Sequence, residues 1–386
     1  MNSIAVILFV FLLWRAVWPL DCKLWLKILA GLTVLVISFK FKVIKILGGN
    51  YFAPDLPGWF LLLAAAAYIT AFLFIFFLII ADTFLWGMKL GKNFRTWREN
   101  GKFDWKKLFE KHKAVNKVHA WGLLGVFLLA IAGIYCGLAT PQIRKIEFVS
   151  PKISPAASGI KIAVLSDLHV DNLNDRERIR KIVDQTNALK ADIVCMLGDF
   201  SDGVQKQHLE ALSELAKLRS KYGVFSVPGN HEYYCGYKIL MDHFKKIGLP
   251  ILYNESVFLE KLNLSICGIT DRQARKTGDL LPDIPKALAL APKESFKIML
   301  AHRPKTAHQS AKYGADIQFS GHTHGGMVWG FDRLVASGNG GFAWGTHNVG
   351  KMTLILSNGT CMWSGFPVRL GHPAEILLVT LKARDK

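Results

Sequence analysis

The chain has 386 residues, a net charge of +19 and 51 % hydrophobic residues, and its length is enough for two domains of ordinary size. A basic excess indicates either nucleic acid or an anionic membrane surface as a partner, but much of it lies between apolar runs and no aromatic RNP motif is present, so nucleic-acid binding is disfavoured. Six cysteines without a CxxC pair argue against a disulfide framework.

Long apolar runs dominate the first 145 residues and predict a helical transmembrane region of about four helices. The predicted spans are residues 4–20, 26–46, 59–81 and 119–138. The third is the clearest, because its 23 residues without a charge exceed the roughly 20 that cross a bilayer. Lysines interrupt the end of the second, and Arg15 lies in the first, where a charge is costly in lipid.

A basic segment between the third and fourth spans predicts the topology. Residues 89–117 hold 10 Lys and Arg against 3 Asp and Glu. Short basic loops stay in the cytoplasm, so the fourth span would carry the rest of the chain to the periplasmic or extracellular side. We therefore expect an integral protein of the cell or inner membrane. The same segment also fits a basic amphipathic helix that lies on the membrane surface, and the two interpretations are compatible.

The spans are better interpreted as an anchor than as a transporter. They show no inverted repeat, no pair of Gly- or Pro-broken segments and no intramembrane charge pair. Asp82 is the acidic residue nearest a span interior, and it lies at the end of its span.

The pattern changes after residue 145, and residues 146–386 are predicted to form one α/β domain. Short runs rich in Val and Ile alternate with helical stretches, which is typical of sheets covered by helices. The predicted strands are 161–166, 192–197, 223–228, 256–269, 296–301, 317–320, 350–357 and 375–381. The predicted helices are 175–190, 205–221, 237–247 and 304–313.

Polar side chains that can bind metals follow five of these strands. In chain order they are Asp167 and His169, Asp199, Asn230 with His231, His302, and His322 with His324. Ligand sites in α/β sheets lie outside the carboxyl ends of the strands. The sequence therefore predicts that these residues meet at one cleft.

The residue types predict which metals would bind there. Oxygen and imidazole ligands together suit Mn, Fe or Zn, whereas Ca and Mg prefer oxygen alone. Without His231, the set holds three carboxylate or amide oxygens and four imidazoles. These seven candidate ligands exceed what one tetrahedral ion takes and fit two ions that share a carboxylate. If the segments are extended, Asp167 with His169 and His322 with His324 each point two ligands to one side. Neighbouring glycines such as Gly229 and Gly321 allow the backbone to approach the ions closely.

The ordered motifs resemble the calcineurin-like metallophosphoesterases. They read SDLHVD, LGDFSDG, VPGNHEYY, a lone His302 and SGHTHGG, and the resemblance covers about residues 160–385. It extends to a membrane-anchored subgroup with N-terminal transmembrane helices. The fold it implies is an αββα sandwich of two facing mixed sheets flanked by helices.

The resemblance also implies a role for each residue. One metal would be held by Asp167, His169 and His324, the other by Asn230, His302 and His322, and Asp199 would bridge them. His231 would donate a proton to the leaving group or stabilise its charge. The nucleophile would be a metal-bridging hydroxide.

Two positions depart from the subgroup. Its members tend to carry Gln where this chain has Met327, and an Arg within the stretch that matches residues 356–360. Neither position is a ligand, so the departures bear on substrate choice and not on the metals.

We therefore expect a membrane-anchored dinuclear-metal hydrolase of a phosphomonoester or phosphodiester. The anchor makes a lipid or nucleotide-linked lipid a candidate substrate. A catalytically silent metal-binding sensor or scaffold in the membrane is the alternative. The sequence leaves open the exact substrate, the physiological metals and the oligomeric state.

Overall fold

The structure, a computed structural model, describes residues 2–48, 54–105 and 115–384. It divides into two compact units, one made of Met1–Tyr51 with Trp59–Ile134 and the other of Phe52–Gly58 with Tyr135–Lys386. Within the described residues the first unit is helical and the second carries the strands. Residues 106–114, part of the basic segment predicted at 89–117, lie outside the described residues.

The helices that precede the strands are mostly apolar. They are α1 (Asn2–Leu12), continued by a π-helical turn (Leu13–Val17), then α2 (Leu24–Ser38), α3 (Lys40–Gly48), α4 (Gly58–Asn100) and α5 (Val115–Leu138). By length and composition α4 and α5 can cross a membrane, and they correspond to the predicted third and fourth spans. A third is added if α2 and α3, bent by 73°, count as one span. The predicted first span forms an apolar helix shorter than these. Among the described residues, two or three helices are therefore long and apolar enough to cross a membrane, where four were expected.

Helix α4 extends well beyond the predicted third span. Its 43 residues correspond to about 65 Å at 1.5 Å per residue, against roughly 30 Å of bilayer hydrocarbon. The basic segment therefore starts as the last turns of this helix, through Arg98, and not as a loop.

The apolar helices do contain a charge pair, so the expectation of none was wrong. Arg15, in the π-helical turn, donates from Nε to Asp82 Oδ2 of α4 over 2.7 Å. The two residues are 67 positions apart, which is why the sequence pattern did not reveal the pair.

Two mixed sheets form the framework of the second unit. The strands are β1 (Gln142–Ser150), β2 (Lys161–Leu165), β3 (Ile193–Met196), β4 (Val224–Ser226), β5 (Glu255–Leu259), β6 (Leu264–Gly268), β7 (Phe296–Leu300), β8 (Ile317–Ser320), β9 (Gly345–Val349), β10 (Met352–Leu356) and β11 (Glu375–Ala383). The order is β1-β11-β2-β3-β4 in one sheet and β5-β6-β7-β8-β10-β9 in the other. The runs β2-β3-β4 and β6-β7-β8-β10 are parallel.

The α-helices of the second unit, within the described residues, are α6 (Arg176–Ala188), α7 (Lys206–Leu212), α8 (Asn230–Cys235), α9 (Tyr237–Lys246), α10 (Ala274–Thr277), α11 (Ile284–Ala289), α12 (Ala307–Lys312) and α13 (Asp332–Gly338). Residues of α6, α7, α9, α11 and α12 pack on the outer faces of the sheets, whereas α13 has no buried residue.

Alternation along the strands explains the layers. Ile162 of β2 belongs to a core cluster shared with Ile266 and Ile298 of the other sheet. Its neighbour Ala163 belongs to a cluster with Ile179 of α6 on the opposite face. Successive strand residues point to opposite faces, so each parallel strand is buried on both sides and reads as a continuous apolar run. A third cluster packs α11 and α12 on the second sheet. The αββα sandwich expected from the sequence is confirmed.

Some elements were not predicted. β1 and β9 are edge strands, and their exposed positions are polar except for Val149. The run 256–269, predicted as one strand, is an antiparallel pair, β5 and β6, joined through a 3₁₀ turn at Glu260–Leu262. That turn has neither Gly nor Pro, and Asn263, which ends it in the left-handed conformation, was interpreted as a strand residue.

Candidate metal centre

The predicted site residues lie immediately beyond five strand ends. Asp167 follows β2 and Asp199 follows β3, Asn230 and His231 begin α8 just after β4, and His302 and His322 follow β7 and β8. The first three strands belong to one sheet and the last two to the other. Within each sheet these strands are parallel neighbours, so their carboxyl ends share one edge.

One cluster joins Asp167, His169 and His324. Their ligand atoms all lie within 4.8 Å of one another. Nε2 of His169 is 3.1 Å from Nε2 of His324, which is 3.5 Å from Oδ1 of Asp167. All three side chains are buried. Two imidazole nitrogens and a carboxylate oxygen are therefore directed at one point.

A second cluster joins Asp199, His302 and His322, again within 4.8 Å. Oδ2 of Asp199 is 3.2 Å from Nε2 of His302 and 3.8 Å from Nε2 of His169 in the first cluster. Asp199 is thus the carboxylate that faces both clusters. Asn230, at the start of α8, has a buried amide oxygen with no hydrogen-bond partner in the described ranges.

In two of the imidazoles Nδ1 donates a hydrogen bond, which leaves Nε2 available as a metal ligand. Nδ1 of His302 is 2.6 Å from the carbonyl oxygen of Leu197, and Nδ1 of His169 is 2.9 Å from Oδ1 of Asp202. A carbonyl or carboxylate oxygen can only accept, so each Nδ1 carries the proton. Contacts of this kind fix the tautomer of metal-binding histidines.

His231 shares its carboxylate partner with His169. Its Nδ1 is 2.6 Å from the same Oδ1 of Asp202, and its Nε2 is 3.9 Å from Oδ2 of Asp199. Burial lowers the pKa of His231, but Asp199 and Asp202 raise it well above its ordinary value. The sequence analysis assigned no role to Asp202, although it follows Asp199 by only three residues.

The backbone at the site is strained. Five of the predicted ligands have positive φ: Asp167 at 56°, His169 at 44°, Asp199 at 53°, His322 at 74° and His324 at 49°. This region is sparsely populated by residues with a side chain, and such strain concentrates at functional sites. The expectation that the i, i+2 pairs lie in extended segments was wrong. His322 and His324 also point into different clusters, whereas Asp167 and His169 share one.

Two glycines leave room for the carboxylates. A Cβ on Gly229 would lie 2.2 Å from Oδ1 of Asp199, and one on Gly321 would lie 2.4 Å from Oδ2 of Asp167. Real Cβ atoms do not approach so closely, so any larger residue would displace the ligand. The expectation that these glycines permit close approach fits this geometry.

Glu232 links the loop after β3 to the loop after β4. Its carboxylate accepts hydrogen bonds from the backbone N–H groups of Gly229 at 2.6 Å, Phe200 at 2.7 Å and Asp199 at 3.0 Å. The side chain is fully buried. Burial and the neighbouring Asp199 raise the pKa of Glu232 to about 7.

The electrostatics of the clusters fit divalent cations. Burial and the adjacent His302 and Arg303 hold the pKa of His322 well below its ordinary value. Burial and the adjacent His169 and Arg369 do the same for His324. Neutral imidazole is the form that binds metals. Burial lowers the pKa of His302, but Asp199 raises it to about 9, so a positive charge is favoured beside that carboxylate.

The donor set therefore fits two divalent ions. Four imidazoles and two carboxylates form the two clusters, and Asp199 faces both. The amide oxygen of Asn230, at the start of α8, has no hydrogen-bond partner among the described residues. Mixed nitrogen and oxygen donors suit Mn, Fe or Zn.

Arg303 lies at the edge of the second cluster. Its Nε donates to Oδ2 of Asp271 over 2.7 Å, and its Nη1 is 3.1 Å from Nε2 of His322. Its side chain is 15 % exposed.

Two aromatic rings lie beside His231. The rings of Tyr234 and Trp363 lie 5.4 and 5.9 Å from the ring of His231.

A buried arginine that the sequence analysis missed supports the last loops of the site. Nη2 of Arg369 donates to the carbonyl oxygen of Cys361 over 2.9 Å and to that of Gly359 over 3.3 Å. Arg369 is 1 % exposed. The stretch 356–360 has no Arg of its own, and this guanidinium reaches it from further along the chain.

The second departure from the subgroup, Met327, lies in the same region. Met327 has a positive φ of 61°, and its carbonyl accepts from the N–H of Leu370.

Comparison with known proteins agrees with this geometry. Residues 160–326 match the calcineurin-like phosphoesterase family. The chain is 34 % identical over 265 residues to an uncharacterized metallophosphoesterase of Helicobacter pylori, covering 68 % of this chain and 69 % of the relative. It is 28 % identical to a protein of Bos taurus named as a transmembrane protein with metallophosphoesterase domain, covering 66 % and 60 %.

A dimetal phosphatase of Danio rerio is similar in structure over 52 % of this chain and 88 % of its own, with 11 % identity and a TM-score of 0.36. The extent of the Helicobacter match and the family match over the site motifs lead to one conclusion. The chain belongs to the calcineurin-like metallophosphoesterase family.

Proposed function

We propose that this protein is a metal-dependent hydrolase of phosphoric esters. The observation that carries the proposal is the convergence of two ligand clusters on Asp199, with His231 beside them. In this assignment Asp167, His169 and His324 hold one ion and Asn230, His302 and His322 hold the other. Asp199 binds both.

The chain's own residues supply binding and proton transfer. When bound, two ions act as Lewis acids on the phosphoryl oxygens and activate a water for attack. Arg303, already oriented by Asp271, offers guanidinium N–H groups to the phosphoryl oxygens. His231 donates the proton at Nε2 to the leaving oxygen, because its Nδ1 is engaged with Asp202.

A substrate panel tests the hydrolase. The full chain, purified in detergent and loaded with Mn²⁺, is assayed on p-nitrophenyl phosphate and on bis-p-nitrophenyl phosphate. We expect hydrolysis that Asp199→Asn abolishes. Asp242→Asn, a change at an exposed carboxylate on α9, is the matched control. Equal activity in Asp199→Asn and Asp242→Asn would refute the proposed centre.

We further propose that the enzyme is membrane-anchored and that its substrate is a phospholipid or another phosphoester at the membrane. The apolar helices α4 and α5 and the name of the Bos taurus relative support the anchor. The lipid proposal fails if the full chain in mixed micelles cleaves bis-p-nitrophenyl phosphate but none of phosphatidic acid, phosphatidylglycerol and a nucleotide-linked diacylglycerol.

The catalytic domain is proposed to face the periplasm or the cell exterior. The charge bias of residues 89–117 supports this orientation. A β-lactamase fused after residue 384 should protect bacteria against ampicillin, whereas one fused after residue 104 should not. The reverse pattern would place the domain in the cytoplasm.

The alternative is a silent metal-binding sensor or scaffold in the membrane. The complete ligand set and the paired His231 favour the enzyme, because a scaffold needs no proton donor. His231→Ala separates the two. The enzyme predicts retained metal and lost hydrolysis, while a scaffold predicts an unchanged cellular phenotype.

A further inference from the structure

A partly buried polar cluster lies among the apolar helices of the N-terminal unit. Besides the Nε contact, Nη2 of Arg15 reaches Oδ1 of Asp82 over 2.5 Å, and Nε2 of His119 on α5 is 3.5 Å from the same oxygen. Their side chains are 22 %, 30 % and 13 % exposed. Ionisable groups in apolar spans are rare, and they mark functional sites by default.

A cavity of about 430 Å³ adjoins this cluster. Its volume is within the range of small-molecule sites, about 300–1,000 Å³. Most of its walls are apolar, including Ala67, Ala71 and Phe74 of α4 and Phe127 of α5. The polar side chains that line it are Arg15, Thr70 and His119. The cavity thus has long apolar walls and one small polar region.

The polar region is not fully satisfied by the protein. The hydroxyl oxygen of Thr70 is buried without a hydrogen-bond partner among the residues described, and the whole residue is only 8 % exposed. Arg15 donates from Nε and Nη2 to Asp82, and within the described chain its Nη1 makes no hydrogen bond. Arginine has five N–H donors and no acceptor, so N–H groups remain for a ligand.

A purely structural ion pair would not need these features. Two charges that only join helices could be replaced by apolar residues at little loss of stability. They would not require an adjacent cavity or an unpartnered hydroxyl. Arg15 also lies in a π-helical turn, a distortion frequent at functional sites.

We propose that this cavity binds one amphiphile. Its single apolar tail lies between α2, α4 and α5, and its head carries an anionic oxygen, as a carboxylate or a phosphate does. The head accepts hydrogen bonds from Arg15 and Thr70. The tail packs on Ala71, Phe74 and Phe127. The site is separate from the metal centre and does not depend on the hydrolase activity.

Photo-crosslinking of the full chain tests the site. The protein is placed in phosphatidylcholine nanodiscs with a C16 fatty acid, a C16 alkyl phosphate or a C16 alcohol, each with a diazirine in its tail. Adducts are mapped by peptide mass spectrometry. We expect saturable labelling of the cavity residues on α4 and α5 by the acid or the phosphate. The stronger of the two identifies the head group.

Three variants make the test specific. Ala71→Trp fills the cavity and should reduce labelling at least tenfold. Leu63→Trp adds the same ring at a position that is 62 % exposed and should leave labelling unchanged. Arg15→Gln with Asp82→Asn removes both charges together, so no buried charge is left unpaired, and it should also reduce labelling at least tenfold. Each variant must keep the elution volume and unfolding temperature of the parent chain.

Three outcomes would overturn the proposal. Labelling by the alcohol that equals labelling by the acid and the phosphate would exclude recognition of an anionic head. Equal labelling of the Ala71→Trp and Leu63→Trp proteins would exclude the cavity. Labelling that does not saturate and is spread over the exposed helix faces would be that of bulk lipid.

Discussion

At the scale of single residues, Asp202 connects the proposed acid to the proposed metal ligands. One of its oxygens accepts from Nδ1 of both His231 and His169, while its second oxygen is buried without a partner in the described part of the chain. A buried carboxylate with that geometry orients two rings and favours the protonated form of His231. It is a positioning residue, since neither the cluster of Asp167, His169 and His324 nor that of Asp199, His302 and His322 includes it.

Asp202→Asn should therefore lower kcat by roughly 10²-fold or more, within the range for general acid catalysis. An anionic Asp202 raises the pKa of His231, so its loss lowers that pKa. The basic limb of the kcat profile should then move to lower pH, which a pH series of bis-p-nitrophenyl phosphate hydrolysis measures. Asp242→Asn serves as the control. A fall in kcat with an unmoved basic limb would mean that Asp202 acts only on folding or metal retention.

Arg303 lies 3.1 Å from His322 of the second cluster and retains solvent access. Arg303→Ala should raise KM and lower kcat/KM by about 10–100-fold, since charge-assisted hydrogen bonds contribute about 1.5–3 kcal/mol. Arg303→Lys should recover only part of the lost kcat/KM, because an ammonium group lacks the planar fork of a guanidinium. Steady-state kinetics measure both, and Arg275→Ala, at an exposed position, is the control. An unchanged KM in Arg303→Ala would remove this residue from substrate binding.

At the scale of elements, the strand ends were predictable and the loops that follow them were not. Parallel strands buried on both faces give apolar runs such as IVCM of β3, and the polar residue after each run is visible in the sequence. β1 was not predicted, because its nine residues include the charged Arg144, Lys145 and Glu147 and do not form an apolar run. β1 begins at Gln142, and the division into residues 1–145 and 146–386 stays a prediction.

The positions of Asp202 and Arg369 depend on long-range loop folding. His169 and Asp202 are 33 residues apart, and Arg369 contacts the backbone of His324 from 45 residues away. The positive φ angles belong to the same loops, and Asp and His, although enriched at positive φ, indicate this conformation much less strongly than glycine does. Pattern reasoning therefore recovered which residues meet but not the conformation that brings them together.

Glu232 is the link between the loops after β3 and β4, and its removal should loosen both. In Glu232→Gln one oxygen acceptor becomes an amide that faces N–H donors, leaving buried donors unsatisfied at a cost of roughly 1–3 kcal/mol. This loss of stability should lower the unfolding temperature by about 2–4 °C per kcal/mol for a domain of this size. Scanning fluorimetry of the full chain checks it, with exposed Glu260→Gln as the control. An equal unfolding temperature in the two variants would show that the loops are held by other contacts.

At the scale of the whole molecule, the two units carry different chemistry. The second joins two sheets whose parallel strands end at a common cleft, so its ligands come from positions between Asp167 and His324 and cannot assemble before the sandwich folds. The first carries an ion pair between α4 and the turn after α1 beside an apolar cavity. Metal binding should consequently stabilise the second unit and leave the first unchanged.

Chelation of the metal tests whether metal binding stabilises the second unit. An ion that binds only the folded state stabilises it by about 2.7 kcal/mol when its concentration is 100 times Kd. Treatment with EDTA should therefore lower the unfolding temperature of the sandwich, and Mn²⁺ or Zn²⁺ should restore it. Ca²⁺ should restore it less, because four of the seven proposed ligands are imidazoles. In Asp199→Asn the response to EDTA should largely disappear, since both clusters lose their common carboxylate. A wild-type unfolding temperature that is the same with and without EDTA would mean that these residues do not hold metal.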